Sequence, residues 1–178
     1  FRYGGEAQLC LTHPDLPALV AERMARQIDG ARRSAEERGA SVPTLFSFSQ
    51  NDWGRPCACE RCRALVEREG SESGPVIAFV NELARLLSRE ELESWIDTLA
   101  YHYTLDPPSG LRAVPRVVVR VTGLHQRDFT LPAKHPSNGA YADAIVGWGE
   151  RTDHLWVWDY AVPFGDFLVS PLMDYTAD

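Results

Sequence analysis

The residues best suited to chemistry lie together in Ser49–Cys62, which reads S-Q-N-D-W-G-R-P-C-A-C-E-R-C. An amide, Asn51, and a carboxylate, Asp52, come one residue after the apolar run P-T-L-F-S-F-S, where a hydrophobic strand runs out into a loop. Glycosidic cleavage needs an acid to protonate the leaving oxygen and a group that stabilises the oxocarbenium-like centre. In substrate-assisted variants the 2-acetamido oxygen of the sugar attacks, and a neighbouring amide or carboxylate orients it. Asn51 would hold that group, with Asp52 as general acid/base. Successive strand side chains face opposite ways, so the pair cooperates only if the chain turns at Asn51, and Trp53-Gly54 permits the turn. An Asn-Asp pair also suits an Asx turn or a helix cap.

Three of the four cysteines follow as Cys57-x-Cys59-x-x-Cys62, with Cys10 far off in sequence. That spacing is tight enough to wrap a tetrahedral ion, and four thiolates on zinc form a closed structural site with no open position for catalysis. Two disulfides or free thiols are the rival reading, although Cys57 and Cys59 make an awkward disulfide pair. His13, His125, His135 and His154 lack metal-ligand spacing and read as surface or loop residues. His102 faces away from the site if strand alternation holds through it.

The elements that must position these groups follow from periodicity. Thr12 can cap a helix on which Leu16, Val20, Met24 and Ile28 recur at four-residue spacing as far as Gly39. Pro43–Ser49 reads as a short strand with its phenylalanines on one face. Glu60–Glu69 is a short polar helix. Pro75 suits a first helical position, followed by the stripe Val76, Phe79, Val80, Leu83 and Leu87. Ser94–Tyr103, Pro115–Thr122 and Leu155–Tyr160 read as strands, the second most clearly because β-branched residues fit a pleated, buried surface. Asn138–Trp148 reads as a helix, Gly123–Ser137 as a long polar loop and Ala161–Asp178 as irregular. Strands alternating with helices indicate a parallel α/β arrangement. Four strands are too few to close an eight-stranded barrel, so the expectation is a small open sheet or part of a TIM-like (β/α)8 barrel. The chain opens on Phe1 rather than Met and shows no signal-peptide pattern, which suggests one domain, residues 1–178, cut from a larger barrel.

With a net charge of −7 and no basic block, nucleic acid is a poor candidate partner. No apolar run approaches the roughly 20 residues of a membrane span. Polar residues gather at the predicted strand ends: Gln50, Asn51 and Asp52; Asp97, Tyr101, His102 and Tyr103; Arg120, Thr122 and His125; Trp158, Asp159 and Tyr160. Ligands of parallel α/β folds bind at that edge. Trp53, Tyr101, Tyr103, Trp156, Trp158, Tyr160 and Phe164 lie in or just after the same strands, and aromatic faces suit the C–H faces of a sugar. Gln50, Trp53, Tyr101, Tyr103, Trp158, Asp159 and Tyr160 are therefore the candidate substrate contacts. No G-x-G-x-x-G, P-loop or G-x-S-x-G pattern is present.

Seven segments occur in a familiar order: Q-L-C-L-T-H-P (Gln8–Pro14), S-Q-N-D (Ser49–Asp52), C-A-C-E-R-C (Cys57–Cys62), E-G-S-E-S-G-P (Glu69–Pro75), F-V-N (Phe79–Asn81), D-T-L-A-Y-H-Y-T (Asp97–Thr104) and W-V-W-D-Y (Trp156–Tyr160). Together they resemble the domain of unknown function 4838, whose characterised branch is glycoside hydrolase family 163. The resemblance runs from about Gln8 to Phe164. It implies a bacterial protein, secreted, periplasmic or at the cell surface, with a catalytic (β/α)8-type barrel of which this chain is the middle. It implies retaining, substrate-assisted endo-β-N-acetylglucosaminidase activity on N-glycans. Carried over, it makes Asp52 and Asp97 the acidic pair, with Asn51 as the alternative acetamido partner. Many relatives carry Glu where Asp97 stands, and Leu124–Ser137 departs from the usual pattern. Two readings follow: a glycoside hydrolase acting on N-acetylglucosamine-containing glycans, or a non-catalytic carbohydrate-binding protein with a zinc- or disulfide-stapled loop. A structural segment inactive by itself is the blander third.

Overall fold

A computed structural model of the chain describes residues 8–89, 94–123, 131 and 134–158. Helix α1 (Leu16–Arg38) precedes strand β1 (Leu45–Ser47); α2 (Glu60–Glu69) and α3 (Ser73–Arg89) lead to β2 (Trp95–Ala100); β3 (Val117–Thr122), α4 (Gly139–Gly149) and β4 (Leu155–Trp158) complete the order. The four strands form one sheet in the order β1-β2-β3-β4, and every neighbouring pair is parallel. Each strand lies beside its sequence neighbour, as in (β/α) units wound in one direction. The parallel α/β class expected from the sequence is the observed one, and the arrangement is compatible with a full or partial (β/α) fold.

Strand alternation sorts the sheet into two faces. Ile96, Ala100, Val117, Val119 and Val121 enter one core with Ala21, Met24 and Ile28 of α1, Ile77, Val80, Leu83 and Leu87 of α3, and Tyr141, Ala144 and Trp148 of α4. Phe46 and Phe48 pack on the same core, as their shared face predicts. Each such aliphatic side chain contributes about 1.5–3 kcal/mol on burial. The residues between them, Ser47, Asp97, Arg120, Trp156 and Trp158, occupy the opposite face. The charged groups of the strands, Asp97 and Arg120, are both on that side.

Several boundaries differ from expectation for identifiable reasons. Asp15, without a side-chain cap bond, precedes α1, because the Thr12 hydroxyl turns instead to the cysteine sulfurs. Gly39, at φ 60°, ends α1 in the left-handed conformation, where it meets no Cβ penalty. β1 is shorter than Pro43–Ser49, although Phe48 N–H still donates to Asp97 O at 2.9 Å. α3 starts at Ser73, so Pro75 lies within its first turn, where a missing N–H costs little. β2 stops at Ala100, and His102–Thr104 forms a 3-10 turn in place of the last strand residues. A similar turn at Pro136–Asn138 leads into α4. Asp159, Tyr160, Phe164 and His125 lie outside the described residues.

The connection from β2 to β3 has no α-helix, so side chains of the helices hold its backbone. Glu69, buried at the end of α2, accepts from Gly110 N–H and Leu111 N–H, each at 2.9 Å. Ser71 and Ser73 hydroxyls donate to Asp106 O at 2.6 and 2.7 Å. Asn81 Nδ2 donates to Arg112 O at 2.8 Å, and Asn81 Oδ1 accepts from Val114 N–H at 2.9 Å. Trp148 Nε1 donates to Leu105 O at 2.6 Å. Gly74 must be glycine at this corner, since a Cβ there would stand 2.9 Å from the Glu69 side chain.

Burial by itself would raise the Glu69 carboxyl, but the Gly110 and Leu111 N–H groups and Arg68 outweigh it and hold the group below its ordinary 4.5. A depressed carboxyl contributes stability in full above its unfolded value, and that stability is lost as pH falls through the lower folded value. Glu69→Gln is expected to destabilise the fold by about 1–3 kcal/mol at neutral pH. Urea denaturation should find the gap to the native chain narrowing below pH 4.5, and a gap independent of pH would contradict this role.

Candidate functional site

The C-terminal ends of β1 and β2 are joined by one side chain. Gln50 Nε2 donates to Tyr101 O at 2.9 Å and to Thr104 Oγ1 at 2.8 Å. Thr104 Oγ1 also accepts from Tyr101 N–H at 3.0 Å and lies 2.9 Å from Tyr101 O. This buried hydroxyl folds the chain back after Tyr101 and ends the strand. Tyr101 is buried, so Gln50 and Tyr101 form the wall of the edge rather than its open surface.

Beyond Gln50 the chain turns out into solvent. Asp52 has a side chain that is 83% exposed, and its Oδ1 stands 3.6 Å from His102 Nε2. His102 has φ 54°, in the left-handed region that few residues with a Cβ adopt. Sequence alternation pointed His102 away from the site, whereas the 3-10 turn brings it to Asp52. Asn51 is exposed, and its backbone N–H is accepted by Gln8 Oε1 at 2.9 Å. Trp53 is half-buried, with the Arg55 guanidinium 6.0 Å from its ring centre.

Asp97 lies on the face away from the helices and is only 3% exposed. Its Oδ1 accepts from the Ser47 hydroxyl, and its Oδ2 pairs with Arg120 at 2.6 Å. The Arg120 guanidinium lies 5.8 Å from the Trp156 ring and 5.6 Å from the Trp158 ring, within cation–π range. Both tryptophans are exposed, 48% and 41%, so neither is an ordinary core residue. Asp52 and Asp97 share no contact: one is an open carboxylate at the strand end, the other a buried partner to arginine. Arg120 was named from sequence as a strand-end polar residue without a role, whereas Ser47 was not singled out, although its alternation with core residues marked the face it occupies.

The four cysteines come together. Their Sγ atoms all lie within 4.8 Å of one another, and none is in a disulfide. A tetrahedral ion with metal–sulfur bonds of about 2.3 Å requires sulfurs about 3.8 Å apart, so the cluster has the right size for a metal ion. Cys10 Sγ stands 3.5 Å from Cys59 Sγ, against about 2.05 Å for a disulfide. Cys59 is the N-cap of α2, where its sulfur accepts from Cys62 N–H at 3.5 Å. Thr12 Oγ1 lies 3.2 Å from Cys62 Sγ and 3.7 Å from Cys59 Sγ. The Cys62 amide, then the Thr12 hydroxyl, draw the Cys59 thiol down to about 6. Burial pushes Cys57 up to about 12.

Between this cluster and the strand ends lies a small pocket of about 40 Å³, walled by Gln50, Asn51, Cys57, Cys62, Glu72 and Tyr103 among others. Burial raises the Glu72 carboxyl. Burial, and then the charge of Glu72, raise the Tyr103 phenol to about 12.

These features define a parallel α/β domain with a polar, aromatic-lined strand edge and a cysteine cluster beside it. The family model of the domain of unknown function 4838 matches residues 2–172, and the chain belongs to that family. No curated protein and no solved structure matches the chain. Metal analysis of the full-length protein is expected to find about one thiophilic ion per chain, lost with Cys59→Ser. A metal-free native protein with its cysteines oxidised would contradict the cluster's role.

Proposed function

We propose that the protein is a glycoside hydrolase acting at N-acetylglucosamine in glycans, retaining and substrate-assisted. The observation that carries this reading is the open carboxylate of Asp52, 3.6 Å from His102 at the C-terminal edge of a parallel sheet. Asp97, Arg120, Trp156 and Trp158 occupy the adjoining face and support it. Asp52 protonates the leaving oxygen and later removes a proton from water, with His102 steadying it. The sugar's acetamido oxygen attacks the anomeric carbon, held by the Asn51 amide, and Asp97 completes the acidic pair while fixing Arg120. Aromatic faces at Trp53 and Trp158 suit the sugar rings.

Zinc is the ion that suits the cysteine cluster, since four thiolates match its preference for a closed tetrahedral site. Cys10, Cys57, Cys59 and Cys62 would hold it, and its contribution is to brace the loop. The family resemblance supports a secreted, periplasmic or cell-surface setting and a barrel completed by further strands. No helix among the described residues is long and apolar enough to cross a membrane.

One observation favours a second reading, a non-catalytic carbohydrate-binding protein. Both Asp97 oxygens are already engaged, by Ser47 and Arg120, as befits an organising residue. Sugar binding and turnover measured on one preparation separate the two.

In the full-length enzyme, Asp52→Asn is expected to lower release of an N-glycan core by about 10²–10⁴-fold; undiminished turnover would remove Asp52 from the mechanism. Asn51→Ala should cost more on N-acetylated substrates than on analogues lacking the acetamido group. Equal losses on both would argue against the role given to Asn51.

A further inference from the structure

The Gln8 side chain makes three hydrogen bonds to the backbone of one distant loop. Its Nε2 donates to Asn51 O at 2.8 Å and to Trp53 O at 2.7 Å, and its Oε1 accepts from Asn51 N–H at 2.9 Å. The loop belongs to no helix or strand, and both Asn51 and Asp52 are exposed. Within the loop, Trp53 N–H donates to Asn51 O at 2.7 Å, and Asp52 Oδ1 stands 3.6 Å from His102 Nε2.

Both sides of this latch lead to the same four sulfurs. Cys10 follows Gln8 by two residues, a reach of about 7 Å at most. Cys57 follows Trp53 by four, and Cys10 and Cys59 stand sulfur to sulfur at 3.5 Å. Thr12, on the Gln8 side, contacts Cys59 and Cys62 on the other. The segment from Gln8 to Cys10 is itself irregular, so an unanchored Gln8 would lose chain entropy each time it engaged the loop. Anchored at Cys10, it is already in place.

We propose that Gln8 is a positioning residue that carries the order of the four-cysteine cluster to the loop bearing Asn51 and Asp52. A neutral amide suits this task. It fixes backbone carbonyls and an N–H without adding charge beside Asp52, and it leaves that carboxylate open. The consequence for turnover rests on the glycoside hydrolase reading; the consequence for loop order does not.

Amide hydrogen exchange on the full-length protein reads the loop directly. Gln8→Ala is expected to speed exchange at Asn51 by at least about fivefold, with metal content and thermal midpoint close to native. Gln8→Glu keeps the acceptor for Asn51 N–H but lacks the two donors, so it should fall between the native chain and Gln8→Ala. Cys10→Ser should speed the same amide, and adding Gln8→Ala to it should change nothing further, because an unanchored latch no longer holds. Kinetically, Gln8→Ala should lower kcat more than it raises KM, since the three bonds of Gln8 go to the loop backbone. Native exchange at Asn51 in Gln8→Ala overturns the proposal, as do effects of Gln8→Ala and Cys10→Ser that simply multiply. If Cys10→Ser does not fold, the glutamate variant decides: exchange as fast as in Gln8→Ala removes the direct bond from the explanation. A native protein without glycosidase turnover would defeat the proposed function and leave the exchange results to judge Gln8.

Discussion

Every backbone group taken out of water needs a partner, and the connection between β2 and β3 has no helix of its own to supply them. That constraint shapes much of the domain. Glu69, Ser71, Ser73 and Asn81 reach from α2 and α3, and Trp148 from α4, to bind the backbone between Leu105 and Val114. β3 starts where this supported segment ends. The position of Arg120, and through it the setting of Asp97 and both tryptophans, therefore depends on groups on the other side of the sheet. The supports are close together in sequence: Glu69, Ser71 and Ser73 lie in E-G-S-E-S-G-P, and Asn81 closes F-V-N.

The site divides by chemistry in the same way as the sheet divides by face. Asp97 is buried and has both oxygens occupied, so its environment is fixed before any ligand arrives. Asp52 is open, in a loop whose backbone is gripped by Gln8 and whose side chain meets His102. A preorganised interior thus stands beside an exposed acid at the rim, the arrangement on which the proposed hydrolase reading draws.

Much of the fold was legible in the sequence because its signals are periodic. Four-residue spacing located α1, the β-branched run Val117–Val121 located β3, and the alternation of strands and helices gave the parallel class. The cysteine cluster was legible from spacing, with Cys10 joining it through the fold. What escaped were features with no period. The D-T-L-A-Y-H-Y-T run keeps its apolar alternation past Ala100, so nothing in it announces that Thr104 will fold the chain back and turn His102 towards Asp52. Thr12 had the composition of a helix cap, and its hydroxyl was claimed by sulfur instead. Gln8 sits in an irregular segment and bonds to residues over forty positions away, a relation that only the folded chain makes visible.

The pair between Asp97 and Arg120 has a consequence for how the chain finds its fold. Parallel strands rich in valine tolerate a slip of two residues, because the same side chains still face the helices. Arg120 stands opposite Leu99, two residues along from Asp97, so a slip that carries it two residues further along β2 would keep Val117, Val119 and Val121 in the core and yet pull Arg120 away from Asp97. A carboxylate left alone in that setting costs about 3–5 kcal/mol, a large part of a small domain's stability. The ion pair thereby acts as a stop against sliding in that direction.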